Sequence, residues 1–301
     1  NHNIGAGMDY YLTDKATLTF AYQYRTFSPV FRNTLSNQNF NSSRTLTRAY
    51  IRSSDADRTI ASNNFTLTHK QLFEKKDREL VTDLMFSTTT MDRDEDIYSV
   101  DTDLSSNTVT TPVQTRGTSG NSNDQWVLQS NYVEPLGENT KLEAGFKSQY
   151  KDLASNNDSY IFSGGTWNAD ATQQNYFDYT EQLHAVYATF TSEIGKFKYL
   201  AGLRGEQLIG LGNLTSQNVK FENSYFSLYP SMHIGYKLAE NNDLLLSYSR
   251  RVDRPNNRQL NPFVDVADSM NIVAGNPYLD AQYTDAYEFE YQTSFAMTSI
   301  T

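Results

Sequence analysis

The run Lys141-Leu142-Glu143-Ala144-Gly145-Phe146-Lys147 decides the fold. Leu142, Ala144 and Phe146 form one apolar set, and Lys141, Glu143 and Lys147 form a charged set between them. Strict alternation puts one face of a strand against apolar surroundings and the other against water. The pattern recurs at Leu18-Phe20-Tyr22-Tyr24, Leu80-Thr82-Leu84-Phe86, Trp126-Leu128-Ser130-Tyr132 and Phe197-Tyr199-Ala201-Leu203. It continues at Leu228-Pro230-Met232-Ile234-Tyr236-Leu238 and Tyr287-Phe289-Tyr291. No window carries a 3.6-residue period, so the chain reads as all-β.

Short polar turns fall at 12–15, 74–77, 136–140, 194–196 and 239–242. Long polar stretches around 26–59, 92–122, 153–178, 210–221 and 253–282 read as loops. Short turns at one end and long loops at the other describe an antiparallel up-and-down transmembrane β-barrel. Its charged face would line a wet lumen, because charges cannot face a dry core unpartnered. Strands are expected at 2–11, 16–25, 60–73, 79–91, 123–134, 141–152, 180–192, 197–209, 222–238, 243–252 and 283–295. That makes eleven, an odd number where bacterial single-chain barrels have even ones, so a partial barrel from a larger one of about 22 strands is expected. Residues 1–301 are thus read as one transmembrane β-barrel segment.

Composition narrows the classes. The chain has 21 Tyr, 17 Phe and 2 Trp, too aromatic for general disorder. Mean hydropathy is −0.62, and no apolar run is long enough for a membrane helix. The absence of cysteine excludes disulfides and thiol chemistry. A net charge of −10 argues against nucleic acid as a partner. The first residues, Asn1-His2-Asn3-Ile4, do not form a signal peptide.

An ordered series of motifs occupies the chain from residue 199. It begins with Ala201-Gly202-Leu203-Arg204-Gly205-Glu206, Tyr229-Pro230-Ser231 and Ile234-Gly235-Tyr236-Lys237-Leu238. It continues with Leu246-Ser247-Tyr248-Ser249-Arg250-Arg251-Val252-Asp253-Arg254-Pro255 and Gln259-Leu260-Asn261-Pro262-Phe263, and closes with Gly275-Asn276-Pro277-Tyr278-Leu279 and Tyr283-Thr284 before Tyr287-Glu288-Phe289. This series resembles the barrel of TonB-dependent outer-membrane receptors of the Bacteroidota type. Residues 1–198 resemble it more weakly, as in Ile4-Gly5-Ala6-Gly7-Met8-Asp9-Tyr10. Where the family continues with proline and glutamate after Leu279, this chain has Ala281 and Gln282. The resemblance implies a Gram-negative outer-membrane location, no enzymatic activity and no cofactor. It further implies uptake of a scarce ligand (siderophore, cobalamin, oligosaccharide or peptide) energised by TonB through a plug region not in this chain. Outer-membrane lipid, and in some such systems a surface lipoprotein, are the other implied partners. A passive porin, a barrel adhesin or a secreted glycan-binding domain are the alternative readings.

Pro255, Pro262 and Pro277 cannot donate ladder hydrogen bonds and mark a strand exit followed by a fixed loop. Gly275 before Asn276 suggests a turn needing positive φ. Arg251, Arg254 and Arg258 are candidate ligand contacts. Arg44, Arg48, Arg52 and Arg58 collect in an outer loop, where guanidinium, which grips oxyanions with paired donors, could attract an anionic ligand or equally meet lipid phosphates. Loop aromatics, Trp167 and Tyr176 among them, could stack on a ligand. Gly202, Arg204, Glu206, Pro230, Ser231, Tyr248, Arg250, Asn261 and Asn276 are structural motif positions. Asp92, Asp94, Asp96 and Asp103 have calcium-loop spacing, but Ile97 replaces the required glycine, so a solvated loop is expected rather than a metal site. His2, His69, His184 and His233 are scattered without catalytic spacing.

Overall fold

The computed structural model describes residues 1–103, 108–265 and 272–293. The strands are β1 His2–Thr13, β2 Ala16–Phe27, β3 Val30–Phe40, β4 Leu46–Leu72, β5 Glu79–Asp103 and β6 Thr108–Val109. They continue as β7 Val113–Pro135, β8 Thr140–Ser163, β9 Thr166–Ala169, β10 Asn175–Ile194 and β11 Phe197–Leu214. The rest are β12 Val219–Ala239, β13 Asn242–Asp253, β14 Val264–Asp265, β15 Val273–Ala274 and β16 Gln282–Thr293. One helical turn, α1, spans Asn257–Leu260. No helix among the described residues is long and apolar enough to cross a membrane, which says nothing of strands.

Eleven strands form one antiparallel wall in the order β1-β2-β4-β5-β7-β8-β10-β11-β12-β13-β16, with β3, β6 and β9 paired to its sides. These eleven are the strands expected from the alternation. The wall is open, with β1 and β16 at its edges, as befits a partial barrel. All five short turns lie at one end, where Asp77 and Gly195 adopt positive φ.

The strands are longer than the sequence reading gave. β4 has 27 residues and β5 has 25, so β4 spans roughly 90 Å, far beyond the hydrocarbon thickness. Much of what reads as loop in 26–59, 92–122 and 153–178 is strand running on past the membrane level. Polar residues on both faces hide a strand from a periodicity test, yet the ladder there is continuous: Arg58 pairs Arg93 and Asp55 pairs Asp96. The Asp92, Asp94 and Asp96 spacing is therefore a one-face strand pattern, not a loop able to wrap a cation. Asp96 is held by Arg116 at 2.7 Å, and Asp103 ends β5.

Register assigns the two faces. One inner row crosses nine strands as Asp9, Thr19, Thr68, Asp83, Gln129, Lys147, Ala185, Glu206 and Ser227. Within it the Thr68 hydroxyl donates to Asp83 at 2.6 Å and the Gln129 amide at 3.0 Å. The outer face carries an aromatic row, Tyr22, Phe65, Phe86 and Trp126, with successive ring separations of 4.8, 6.1 and 4.2 Å. Toward the short turns lie Tyr132, Phe197, Tyr236 and Tyr291. Such rows mark the two interfaces of a membrane barrel.

The apolar band also drifts across the ladder. Leu128 on β7 stands opposite Ser148, whereas the apolar residues of β8 are Phe146 and Leu142, nearer the short turn. Strands tilted to the membrane normal require this drift, because register and depth then differ. Leu203→Arg, on the outer face of β11, is expected to cost about 2–4 kcal/mol. Gln129→Arg, on the wet face, should cost far less. Urea titration of the folded protein in bilayers checks both; equal costs would contradict the face assignment.

Candidate functional site

The described parts of the segment 254–281, residues 254–265 and 272–281, do not stand out into solvent. They fold onto the inner face of the wall. Its entry is fixed by Arg254, whose guanidinium reaches Glu206 and, at 3.0 Å, the Tyr229 hydroxyl. Arg204 Nε donates to the other Glu206 oxygen at 2.6 Å and its guanidinium lies 5.2 Å from the Tyr187 ring centre. Glu206 is only 7% exposed, and two cations compensate its charge.

This cluster sits where the wall splays. The β12–β13 ladder ends at Ser231 opposite Ser249, so Pro230 meets no β13 partner and its missing N–H costs nothing there. Side chains bridge the gap instead, Ser227 meeting the Tyr283 hydroxyl at 2.5 Å.

Beyond Arg254, α1 opens on a capping box in which Asn256 and Gln259 satisfy each other's backbone N–H groups. α1 delivers Leu260 and then Phe263 into a cluster with Phe177, Tyr179, Leu214 and Phe221. Burying those two side chains contributes roughly 1.5–3 kcal/mol each. Asn261 reaches Asn175 on β10 at 3.3 Å, and the Pro277 carbonyl accepts from Asn223 on β12 at 3.1 Å.

Two glycines permit this packing. Gly212 leaves room for the Phe221 ring, which would lie 2.1 Å from a Cβ there. Gly275 does not have positive φ, contrary to the turn expected from sequence. Close approach explains it: a Cβ would stand 2.3 Å from the Asn261 carbonyl oxygen and 2.6 Å from that of Gln259. The Gly275 N–H donates to Asn261 at 3.0 Å and the Asn276 N–H to Gln259 at 2.7 Å, closing the segment on itself.

Between this segment and β4, β5, β7, β8 and β10 lie two adjoining cavities, of about 560 and 360 Å³. Arg93, Arg258, Asn157, Asn175 and Asn261 line both. Arg52 and Glu95 belong to the larger and Arg58 to the smaller.

The candidate ligand residues therefore separate. Arg258 lines the cavities, Arg254 is committed to Glu206, and Arg251 is exposed on the inner face of β13. Trp167 and Tyr176 do not join them. By strand alternation both lie on the outer face, Trp167 against Phe162 with the Arg116 guanidinium 4.5 Å from its ring centre. The Tyr176 hydroxyl donates to Asp158, and that bond raises its pKa above the ordinary tyrosine value. Arg250 makes two 2.8 Å bonds to Asp285. His184 meets Ser148 at 3.0 Å on the outer face. Among the described residues no group of three or more His, Cys, Asp or Glu could hold a metal. Arg52 and Arg58, which the sequence offers as anion-attracting arginines of an outer loop, stand instead on the strand β4. Arg93 on β5 is the cavity arginine that sequence reasoning misses, and its alternation with Asp92, Asp94 and Asp96 is the available signal.

Residues 71–301 match the outer membrane protein beta-barrel family, and the chain belongs to it. The match starts well before residue 199, through strands whose motifs alone resembled the family only weakly. No curated protein matches the chain. Among solved structures, FpvA of P. aeruginosa bound to a heterologous pyoverdine aligns with 12% identity and TM-score 0.50, covering 98% of this chain and 46% of FpvA. The copper transporter OprC aligns at 7% identity and TM-score 0.49, covering 97% and 50%. The siderophore receptor PiuA from Acinetobacter baumannii aligns at 13% and 0.41, covering 98% and 54%. The chain thus spans about half the length of these proteins. It is an outer-membrane β-barrel wall of the Gram-negative type.

Gly275→Val should break the segment's closure on itself, because its side chain would strike the Asn261, Gln259 and Arg258 carbonyls. The expected result is rapid protease cleavage within 254–281 while the barrel keeps its heat-modifiable gel mobility. Cleavage unchanged from the parent protein would contradict the packing described.

Proposed function

We propose that this chain is one side of the barrel of an importer that captures a scarce ligand on its inner face. TonB would energise import through a plug region outside these 301 residues. The observation that carries the reading is that residues 254–265 and 272–281 fold over cavities on the inner face, the smaller one lined by arginines and amides. A passive pore has no need of a pocket, and an adhesin would present this segment outward.

The open edges support a larger barrel. Backbone N–H and C=O groups in hydrocarbon must be paired, so β1 and β16 need neighbouring strands. About 22 strands in the whole barrel fits a wall in which eleven are seen. A capping lipoprotein would meet the long outer extensions of β4, β5 and β7.

Deleting residues 255–280 from the full-length receptor in its own bacterium is the test. Growth under nutrient limitation should fall to that of a receptor-null strain, with the barrel still in the outer membrane. A protonophore should abolish uptake by the intact receptor. Uptake that survives the protonophore would identify a passive pore.

A further inference from the structure

We infer that the smaller cavity recognises a ligand bearing two or more oxyanion groups, carboxylate, sulfate or phosphate. The inference rests on the importer reading of the same site and names the class of its ligand. Three guanidiniums, Arg58, Arg93 and Arg258, line this cavity with the amides of Asn121, Asn175 and Asn261. Among the described residues no carboxylate lines it. That is notable in a chain whose net charge is −10.

The positive charge is only partly compensated. Arg58 and Arg93 stand directly opposite each other on β4 and β5, an unfavourable pairing of like charges without an anion. Arg93 has one carboxylate partner, Glu95 at 2.6 Å, on the side of the larger cavity. Arg58 stacks on the Phe31 ring, 4.6 Å from its centre, which orients the guanidinium without neutralising it. The Nε atoms of both arginines are buried and have no hydrogen-bond partner. Each guanidinium thus lacks a full set of partners, and an oxyanion at its other nitrogens would supply the missing counter-charge.

Placement adds selectivity. Arg58 and Arg93 are on the rigid wall, whereas Arg258 comes from α1 on the docked segment. A ligand held by all three therefore bridges segment and wall. The volume, about 360 Å³, suits a small polyanion. Amide side chains around the cations supply donors without further charge, so the site can discriminate by shape as well as sign.

The test is titration calorimetry on the full-length receptor in detergent at low salt. Sulfate, phosphate and citrate are the probes, and glycerol is the uncharged control. Citrate should bind more tightly than the single oxyanions sulfate and phosphate, glycerol should not bind, and added salt should weaken binding. R93Q and R258Q should each weaken it about tenfold or more. R258K should fall between, since it keeps charge but loses the fork. Heat-modifiable mobility establishes that each variant is folded. Failure of all three anions to bind overturns the inference, as does binding unaffected by both glutamine variants. Binding only after residues outside 1–301 are removed also overturns it, making the cluster a docking surface for an acidic part of the same polypeptide. Anion binding with protonophore-insensitive uptake would remove the importer reading and keep the anion site. Protonophore-sensitive uptake without anion binding would do the reverse.

Discussion

Hydrocarbon offers no hydrogen bonds, and the structure follows from that. A chain crossing it in strands must pair every backbone N–H and C=O with a neighbouring strand, so the ladders run unbroken through the membrane level. Continuous ladders fix the alternation, and alternation makes a wall with one face for lipid and one for water. The aromatic row Tyr22-Phe65-Phe86-Trp126 and the polar row from Asp9 to Ser227 are two readings of the same register. The ladder does open between β12 and β13, beyond Ser231 and Ser249, and there side chains bridge the strands instead.

That opening is what lets the inner face carry a site. Where backbone pairing stops, Glu206 and two arginines take over, and the chain beyond Arg254 turns inward rather than outward. The motif residues conspicuous in the sequence serve this turn. Arg204 and Glu206 hold the entry, Pro230 marks the ladder's end, Asn261 and Asn276 tie the segment, and Gly275 lets its backbone pack close. They are scaffold. The residues that line the cavities come mostly from elsewhere.

The sequence therefore revealed the wall better than the site. Period-two alternation at the membrane level is strong because one side must be apolar, and it gave all eleven strands and all five turns. Above the membrane both faces are wet, so Ala49 to Thr59 and Asp92 to Asp103 carry no apolar signal although they are strand. Asp92-x-Asp94-x-Asp96 shows the ambiguity well, since a calcium loop and one face of a strand share that spacing. Arg258 was legible beside Pro255 and Pro262, but its partners Arg58 and Arg93 lie some 200 and 165 residues away and only the register joins them. Trp167 and Tyr176 looked like ligand aromatics because their facing could not be read without the strand that carries them.

Residues 254–265 and 272–281 dock on the inner face, and the candidate site depends on it. Residues 1–301 contain no cysteine, so an introduced pair supplies the only thiols of this wall. Asn175→Cys with Asn261→Cys places thiols where the two amides now meet at 3.3 Å. In intact outer membranes a short bifunctional thiol reagent should join them, closing a loop visible as a shifted band after denaturation. Failure to cross-link, while each thiol alone remains reactive, would contradict the docked segment and the site built upon it.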